Sequence, residues 1–447
     1  MTATHTWAVN FVDASGATDL TAYTLGFQIN QNCQIARMST YTGQMTLSNQ
    51  TNIFTPGAGG THQNFEWFSK IIKITCAVND GATTSTADVA HLVVTDIDFR
   101  DDGQKATVQL TLNDFFVYTA RDAVSVIDIT AAYGTLDVIC KDMMNGTPSG
   151  VDPVPFPKFG AANATVTDVL KMNNVDPAET DTYPIGFSGI LEEFDDGTCR
   201  DYINNQILPS GPALIYPTTA AYNAGTGKWT LTANYVNRLM TKETVSAAVN
   251  YRLFSFTGAK AADKFPIKKV STQYNTFDTI NQAQVQSYSP AGGSGPTFSN
   301  STTSQASIGV RSVTYNKIIP VVFGGATDTQ KSVIGDFWVN RFSDVTYTPQ
   351  QATVTLESID QYIDSSSRQN YADFLSVSTC LWSVADLEFT PKGAGSTQSY
   401  NCVISGRQIF VSPESTTISL QLLPAAENQS LTLDSANVGI LGENRLG

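Results

Sequence analysis

The chain is predicted to be mainly β, a β-rich α+β protein, on three observations. Strand-forming residues alternate with polar ones along much of its length, as in Trp7-Ala8-Val9-Asn10-Phe11-Val12 and Ala106–Leu112. Charged residues make up only 15% of a chain that is 41% hydrophobic, so Thr, Ser, Asn and Gln fill the polar positions. That balance suits sheets with covered faces and argues against long solvated helices or a highly charged disordered chain. The third observation is a repeat. Ala106/Ala352, Thr107/Thr353, Val108/Val354, Leu110/Leu356 and Asp114/Asp360 coincide at one constant spacing. A fixed spacing predicts two copies of one β-domain, with residues 92–116 and 337–362 as equivalent hairpins. A chain with two copies can close a ring that has fewer subunits than domains.

The elements follow in order. Residues 1–143 read as a first β-domain. Ile71-Ile72-Lys73-Ile74-Thr75-Cys76-Ala77-Val78 is strongly β and stops at Asn79-Asp80-Gly81. His91–Phe99 and Ala106–Leu112 form a hairpin across Asp101-Asp102-Gly103. Residues 144–160, with Pro148, Pro153, Pro155 and Pro157, read as a linker. Residues 161–264 read as a small α+β insert. It has a short helix within Ala164–Asn173, a second helix over Cys199–Leu208, and strands at Ala213–Tyr216 and Trp229–Ala233. Residues 265–430 return to strands as a second β-domain, interrupted by a Gly/Ser-rich loop at 290–304. Residues 431–447 form an apolar-spaced tail, expected to dock against a neighbour.

Charge and motifs narrow the function. Net charge is −14, with 26 Lys+Arg against 40 Asp+Glu. No basic cluster offsets it, which argues against groove binding to nucleic acid through phosphates. DNA could still pass such a surface without sticking. The six cysteines, Cys33, Cys76, Cys140, Cys199, Cys380 and Cys402, form no CxxC pair and read as buried free thiols. Met1–Asn10 does not resemble a secretory signal, and no window is long and apolar enough to span a membrane.

Asp96–Gly103 fails as a calcium loop, because Arg100 takes a ligand position and Thr107 stands where Glu belongs. It reads as a turn with exposed acids. Glu192-Glu193-Phe194-Asp195-Asp196 reads as a solvated loop ahead of a helix, and adjacent acids do not establish a glycosidase pair. The three histidines, His5, His62 and His91, suggest no nucleophilic site, and Gly225-Thr226-Gly227-Lys228 lacks the pattern of a phosphate loop. No catalytic, cofactor-binding or metal-binding residue is nominated, and the chain reads as a non-enzyme. The alternatives are a glycan or cell-wall hydrolase, or a carbohydrate-binding adhesive β-protein.

Three patches carry a resemblance. Gly43-Gln44-Met45-Thr46-Leu47-Ser48-Asn49 is followed by Phe54-Thr55-Pro56. Ile280-Asn281 is followed by Ser304–Ser312 with Gly309, Arg311 and Ser312. The C-terminus runs Leu433-Asp434 to Gly439, Leu441 and Arg445-Leu446-Gly447. In this order they resemble the minor tail proteins of long-tailed bacteriophages that form the tail hub. Ser48 stands where that family usually has Asp, and Ile308 where it has Tyr.

The resemblance implies two β-barrel-like tube domains per chain, and a homotrimer forming a pseudo-sixfold ring that adapts the tail tube to the tip. It implies a distal tail protein, a tape measure protein and tip or fibre proteins as neighbours, with DNA passing through at ejection. It also implies residence at the tail tip of the virion after assembly in the host cytoplasm. In such a ring Thr107, Gln109 and Thr111, or Thr353, Thr355 and Glu357, should be more exposed than Val108, Leu110, Val354 and Leu356.

Overall fold

The structure is a computed structural model. It describes residues 4–63, 65–120, 123–129, 136–145, 170–174, 189–225, 228–236, 253–258, 264–273, 279–287, 295–319, 327–343, 348–391 and 396–424. The tail at 431–447, residues 146–160 of the linker, residues 290–294 of the expected Gly/Ser-rich loop and the N-terminal part of the helix expected at 164–173 lie outside these residues. The rest of that expected loop is not loop, because Thr297–Asn300 pairs as a strand and a helix begins at Thr302.

Seven strands build the first region: β1 (Thr4–Asp13), β2 (Gly16–Asp19), β3 (Thr24–Asn32), β4 (Thr40–Ser48), β5 (Ile71–Asn79), β6 (Thr84–Asp101) and β7 (Ala106–Asn113). Each tight turn has its chemistry. Between β6 and β7, Asp102 Oδ1 accepts from the N–H groups of Gln104 and Lys105 at 2.9 and 2.6 Å. Gly103 supplies φ +79°, a left-handed angle that glycine adopts without a Cβ clash.

The middle of the chain holds β8 (Ala123–Ile129), helix α1 (Leu136–Met144), β9 (Leu170–Asn174), β10 (Gly189–Thr198), helix α2 (Cys199–Tyr202), β11 (Leu214–Asn223) and β12 (Lys228–Val236). Thr198 caps α2 reciprocally with Asp201, and a π-helical turn at Ile203–Ile207 extends it. β8 pairs with β10, and β11, β12 and β9 form a second small sheet. Two expectations change here. Glu192–Asp196 lies within strand β10, not in a loop, with Glu192 and Glu193 pairing with Ile127 and Val126 of β8 before the register shifts between Glu193 and Gly197. Leu170–Asn173 is strand, not helix, held parallel to β12.

The remainder contributes β13 (Leu253–Thr257), β14 (Phe265–Pro266), β15 (Lys269–Gln273), β16 (Gln282–Ser287), β17 (Thr297–Asn300), α3 (Thr302–Ile308), β18 (Ser312–Ile318) and α4 (Thr327–Phe342). Then come β19 (Thr348–Thr355), α5 (Leu356–Asp360), α6 (Arg368–Leu375), α7 (Val377–Cys380), β20 (Val384–Phe389), β21 (Gln398–Val411) and β22 (Thr416–Pro424). β17, β16 and β18 form a third small sheet against α4.

Fourteen strands make one large sheet. The chain is mainly β as expected, and its sheets do not close into a barrel among the described residues. Within the large sheet one five-strand order occurs twice. The first unit runs β3-β4-β7-β6-β5 and the second β15-β19-β22-β21-β20, with every neighbour antiparallel in both. The order along the chain matches as well. The hairpins agree residue by residue. Each turns after Asp101 or Val411, and each carries a bulge that leaves one extra residue, Thr95 or Ser405. Beyond the fifth strand the likeness ends, since β1 joins β5 antiparallel and β13 joins β20 parallel.

The duplication is therefore present, but on a different alignment from the one the sequence suggested. Thr95 and Ser405 are 310 apart (405 − 95), whereas the matched motif spaces Ala106 from Ala352 by 246 (352 − 106). That spacing lays β19 on β7, while topology lays β19 on β4. Residues 337–342 belong to helix α4, where 92–101 are strand, so the predicted hairpin equivalence fails. The physical reason is that β7 and β19 are both inner antiparallel strands, buried on one face and polar on the other. Inner strands of any such sheet tend toward the same alternation.

One hydrophobic core runs through both units, from Val9 and Phe27 to Ile418 and Leu420. Val108, Leu110 and Leu112 are fully buried in it, each contributing about 1.5–3 kcal/mol of transfer free energy. Helix α6 covers the apolar face of β5 and β6. The small sheet of β11 packs alongside, with Tyr216 Oη donating to the Leu381 carbonyl at 3.1 Å.

Candidate functional site

The two units meet at a seam. β21 pairs with β20 along Gln398–Val403, passes the bulge, and then pairs on the same edge with β3, Gly406 facing Asn32 and Val411 facing Phe27. Gly406 is required there, because a Cβ would stand 2.7 Å from the Gln31 carbonyl oxygen. Under the seam Arg407 is 1% exposed. Its guanidinium donates to Gln31 Oε1 at 2.6 Å, to the Phe374 carbonyl at 2.8 Å and to the Val89 carbonyl at 3.4 Å. This polar anchor was missed from sequence. The available signal was the lone Gly406 inside a strand-like run, a pattern that marks a bulge.

The opposite face of the sheet is polar and poor in charge. Thr111 lies across from Gln44, Gln44 from Gln28, and Gln28 from Phe410. Asn30 and Gln408 form another cross-strand pair, and Gln421 with Gln351 a third. Leu25 and Phe410, 44% and 47% exposed, flank a shallow open depression at the seam. Among the described residues of these strands, Arg100 on β6 and Lys269 on β15 bring positive charge to this face, both at its margins. Neutral amides and hydroxyls can line a passage for a polyanion without holding its phosphates.

The expected alternation holds on β7, where Thr111 is exposed and Thr107 and Gln109 are half-buried, against fully buried Val108 and Leu110. On the second copy Thr353 is half-buried and Glu357 exposed, but Thr355 is buried. The strand ends at Thr355, whose hydroxyl bonds the Ser358 hydroxyl at 2.7 Å. Glu357 lies in α5, and its carboxylate accepts from the Thr416 N–H at 2.6 Å.

Two of the three sequence patches are knots that set loops. Asn49 Oδ1 accepts from the Phe54 N–H at 2.9 Å, and its amide donates to Thr55 Oγ1 at 2.8 Å. Asn281 is fully buried. It donates to Ser304 Oγ at 3.2 Å and the Gly309 carbonyl at 2.8 Å, and accepts from the Arg311 N–H at 2.8 Å. The spaced pattern Asn281…Ser304…Gly309…Arg311 thus closes on one amide. The third patch lies outside the described residues.

Asp96, Asp98, Asp101 and Asp102 are exposed around the β6–β7 turn, as expected. Asp88 is held well below the ordinary carboxylate range, chiefly by His91, with Lys73 Nζ 2.9 Å away. His91 Nδ1 in turn accepts from the Ala220 N–H at 3.1 Å, tying β6 to β11. His5 Nδ1 and Asp360 Oδ2 stand 2.7 Å apart, joining β1 to α5. All six cysteines are buried and none is in a disulfide, and burial pushes the thiols of Cys33 and Cys402 up to about 12. Among the described residues no group of three His, Cys, Asp or Glu could hold a metal ion, and no helix is long and apolar enough to cross a membrane.

No family model and no curated protein matches the chain. Solved structures do. The tail protein from Neisseria meningitidis MC58 superposes with a TM-score of 0.52 at 9% identity, covering 94% of this chain and 96% of that one. The 43 kDa tail protein of prophage MuSo2 from Shewanella oneidensis gives 0.48 at 10% identity, over 94% and 99%. The prophage tail protein gp18 from Listeria monocytogenes EGD-e gives 0.40 at 10% identity, over 93% and 94%. The last two scores are too low to bear on the fold. At 9% identity the first speaks for architecture alone, and in architecture this chain is built as the Neisseria tail protein is.

Proposed function

We propose that the chain is a non-enzymatic structural protein of a bacteriophage tail, forming the hub ring at its distal tip. The observation that carries this reading is the repeated five-strand order within one continuous sheet. Two like units side by side, joined edge to edge, form a segment of a ring, and three such chains supply six units. The fold shared with a tail protein supports the setting. The polar face, with its few cations at the margins, supports a passage through which DNA moves during ejection.

In this reading the chain is a homotrimer. It sits between the distal tail protein and the tip or fibre proteins, with the tape measure protein above its channel, in a virion assembled in the host cytoplasm. The domains are two tube units, an α+β insert between them and a C-terminal docking tail. Size-exclusion chromatography with light scattering tests the assembly, and a trimer is expected. Imaging of intact particles tests its place. A chain that stays monomeric at all concentrations, or that degrades host cell-wall material, overturns the reading.

A further inference from the structure

The seam between β21 and β3 has a counterpart that is open among the described residues. In the second unit β21 runs past the end of its pairing with β20, and the freed edge, Gly406–Val411, takes up β3. In the first unit β6 does the same. β5 pairs with it only as far as Val93, while β7 pairs with its other edge through Asp101. The segment Asp96–Asp101 lies between bulge and turn, in step with Gly406–Val411. Among the described residues no strand pairs with its outer edge. The strand in the place of β3 in the second unit is β15, and its one strand partner among the described residues is β19. Among the described residues one free edge of each kind remains, at opposite ends of the two-unit array.

We propose that β15 of a second copy adds antiparallel to β6, Val270–Gln273 lying along Asp98–Asp101, as β3 adds to β21 within the chain. This rests on the ring reading, whose subunit contact it specifies. The register follows from shared partners. Phe27 and Gln28 face Met45 and Gln44 on β4, as Val270 and Ser271 face Ala352 and Gln351 on β19. Within the chain Val411 faces Phe27 and Phe410 faces Gln28. Asp101 then faces Val270 of the next copy, and Arg100 faces Ser271.

The backbone groups are available. The Asp102 N–H donates to the Lys105 carbonyl at 3.4 Å. By antiparallel alternation Phe99 and Asp101 turn their N–H and C=O groups away from β7. Charge favours the match, because the register sets exposed Lys269 opposite exposed Asp102 and beside Asp101. Two unlike edges make a head-to-tail contact, which propagates around a ring instead of closing a twofold dimer. It also pairs the two edges that would otherwise invite aggregation.

The test uses the full chain with Arg100→Cys and Ser271→Cys together. Both positions are exposed, all six native cysteines are buried, and a non-hydrogen-bonded pair about 4.5 Å apart suits a disulfide. Under mild oxidation most of the double variant should run as interchain cross-linked species, while either single variant and a Lys105→Cys/Ser271→Cys control should not. Independently, Phe99→Pro removes an outward N–H and should lower the ring population at least tenfold at equal concentration, with circular dichroism and Tm unchanged. If that variant fails to fold, the cross-link decides. Rings that persist in Phe99→Pro and do not cross-link overturn the strand addition and leave the ring standing. A wild-type chain that never leaves the monomer overturns both.

Discussion

Arg407 Nε donates to Gln31 Oε1 at 2.6 Å, joining residues 376 positions apart. Gln31 Nε2 passes the connection on to the Val89 carbonyl at 3.1 Å. One guanidinium thus fastens β21, β3, β6 and α6 where the two units meet. Arg407→Met should destabilise the chain by about 2–4 kcal/mol, because buried acceptors lose their donor. Arg407→Met with Gln31→Leu should cost less than the two single changes added together. Denaturant titration measures this, and additive effects would contradict a shared network.

Gly406→Ala should cost about 1–3 kcal/mol, since the added methyl meets the Gln31 carbonyl oxygen at the tightest point of the seam. Gly295→Ala is the comparison, as no atom lies within 4 Å of its Cβ position. Thermal melts of the two variants should separate clearly, and equal Tm values would show that the seam can yield.

Asp114 gives a pH signature. Burial raises its carboxyl from 3.8 to about 7, although the N–H groups of Tyr41 and Phe116 donate to it. The folded chain therefore holds a proton that the unfolded chain releases. The stability this supplies is complete below about 3.8 and is lost as pH rises through about 7. Asp114→Asn should remove that fall, so the two stability profiles should diverge by up to about 4 kcal/mol across the interval. Parallel profiles would refute the assignment.

Asn281→Ala should free three polar partners at once and cost about 2–3 kcal/mol. Amide exchange at Arg311, whose N–H donates to Asn281 Oδ1, should speed up well before exchange in β6 and β7 changes. Unchanged protection at Arg311 would mean that the loop is held by other means.

Deleting residues 431–447 should leave the isolated chain folded and impair hub or tail assembly. Leu431, Leu433, Val438, Ile440, Leu441 and Leu446 recur among small residues there, a spacing suited to burial against a neighbour. Infectious particles carrying the truncated chain would rule this out.

Much of the fold was legible. Val108, Leu110 and Leu112 announced a half-buried strand by alternation, and Asp101-Asp102-Gly103 announced its turn. Asn49 and Asn281 were noticed as parts of short patches, and both close loops through their side-chain amides. The true repeat was not legible. It lives in strand order and in the paired bulges at Thr95 and Ser405, and neither leaves residue identities behind, since hydrogen-bonded ladders use backbone groups common to all residues. The motif that was visible instead matched two inner strands with the same environment. The Arg407–Gln31 pair was hidden for a similar reason, because contacts between distant segments have no local period.

The seam has a history as well as a shape. Its two strands are separated by 376 positions of chain, so at roughly 5–20 residues per second β3 emerges from the ribosome about 20–75 s before β21 can reach it. Through that interval the nascent first unit presents an unpaired edge among the polysomes. Its outward residues there, Gln28, Asn30 and Asn32, are amides that water can satisfy. Ribosome-bound or truncated chains that stop before Gln398 should consequently be the aggregation-prone species, and coexpressed holdase chaperones should rescue those short chains far more than the finished one.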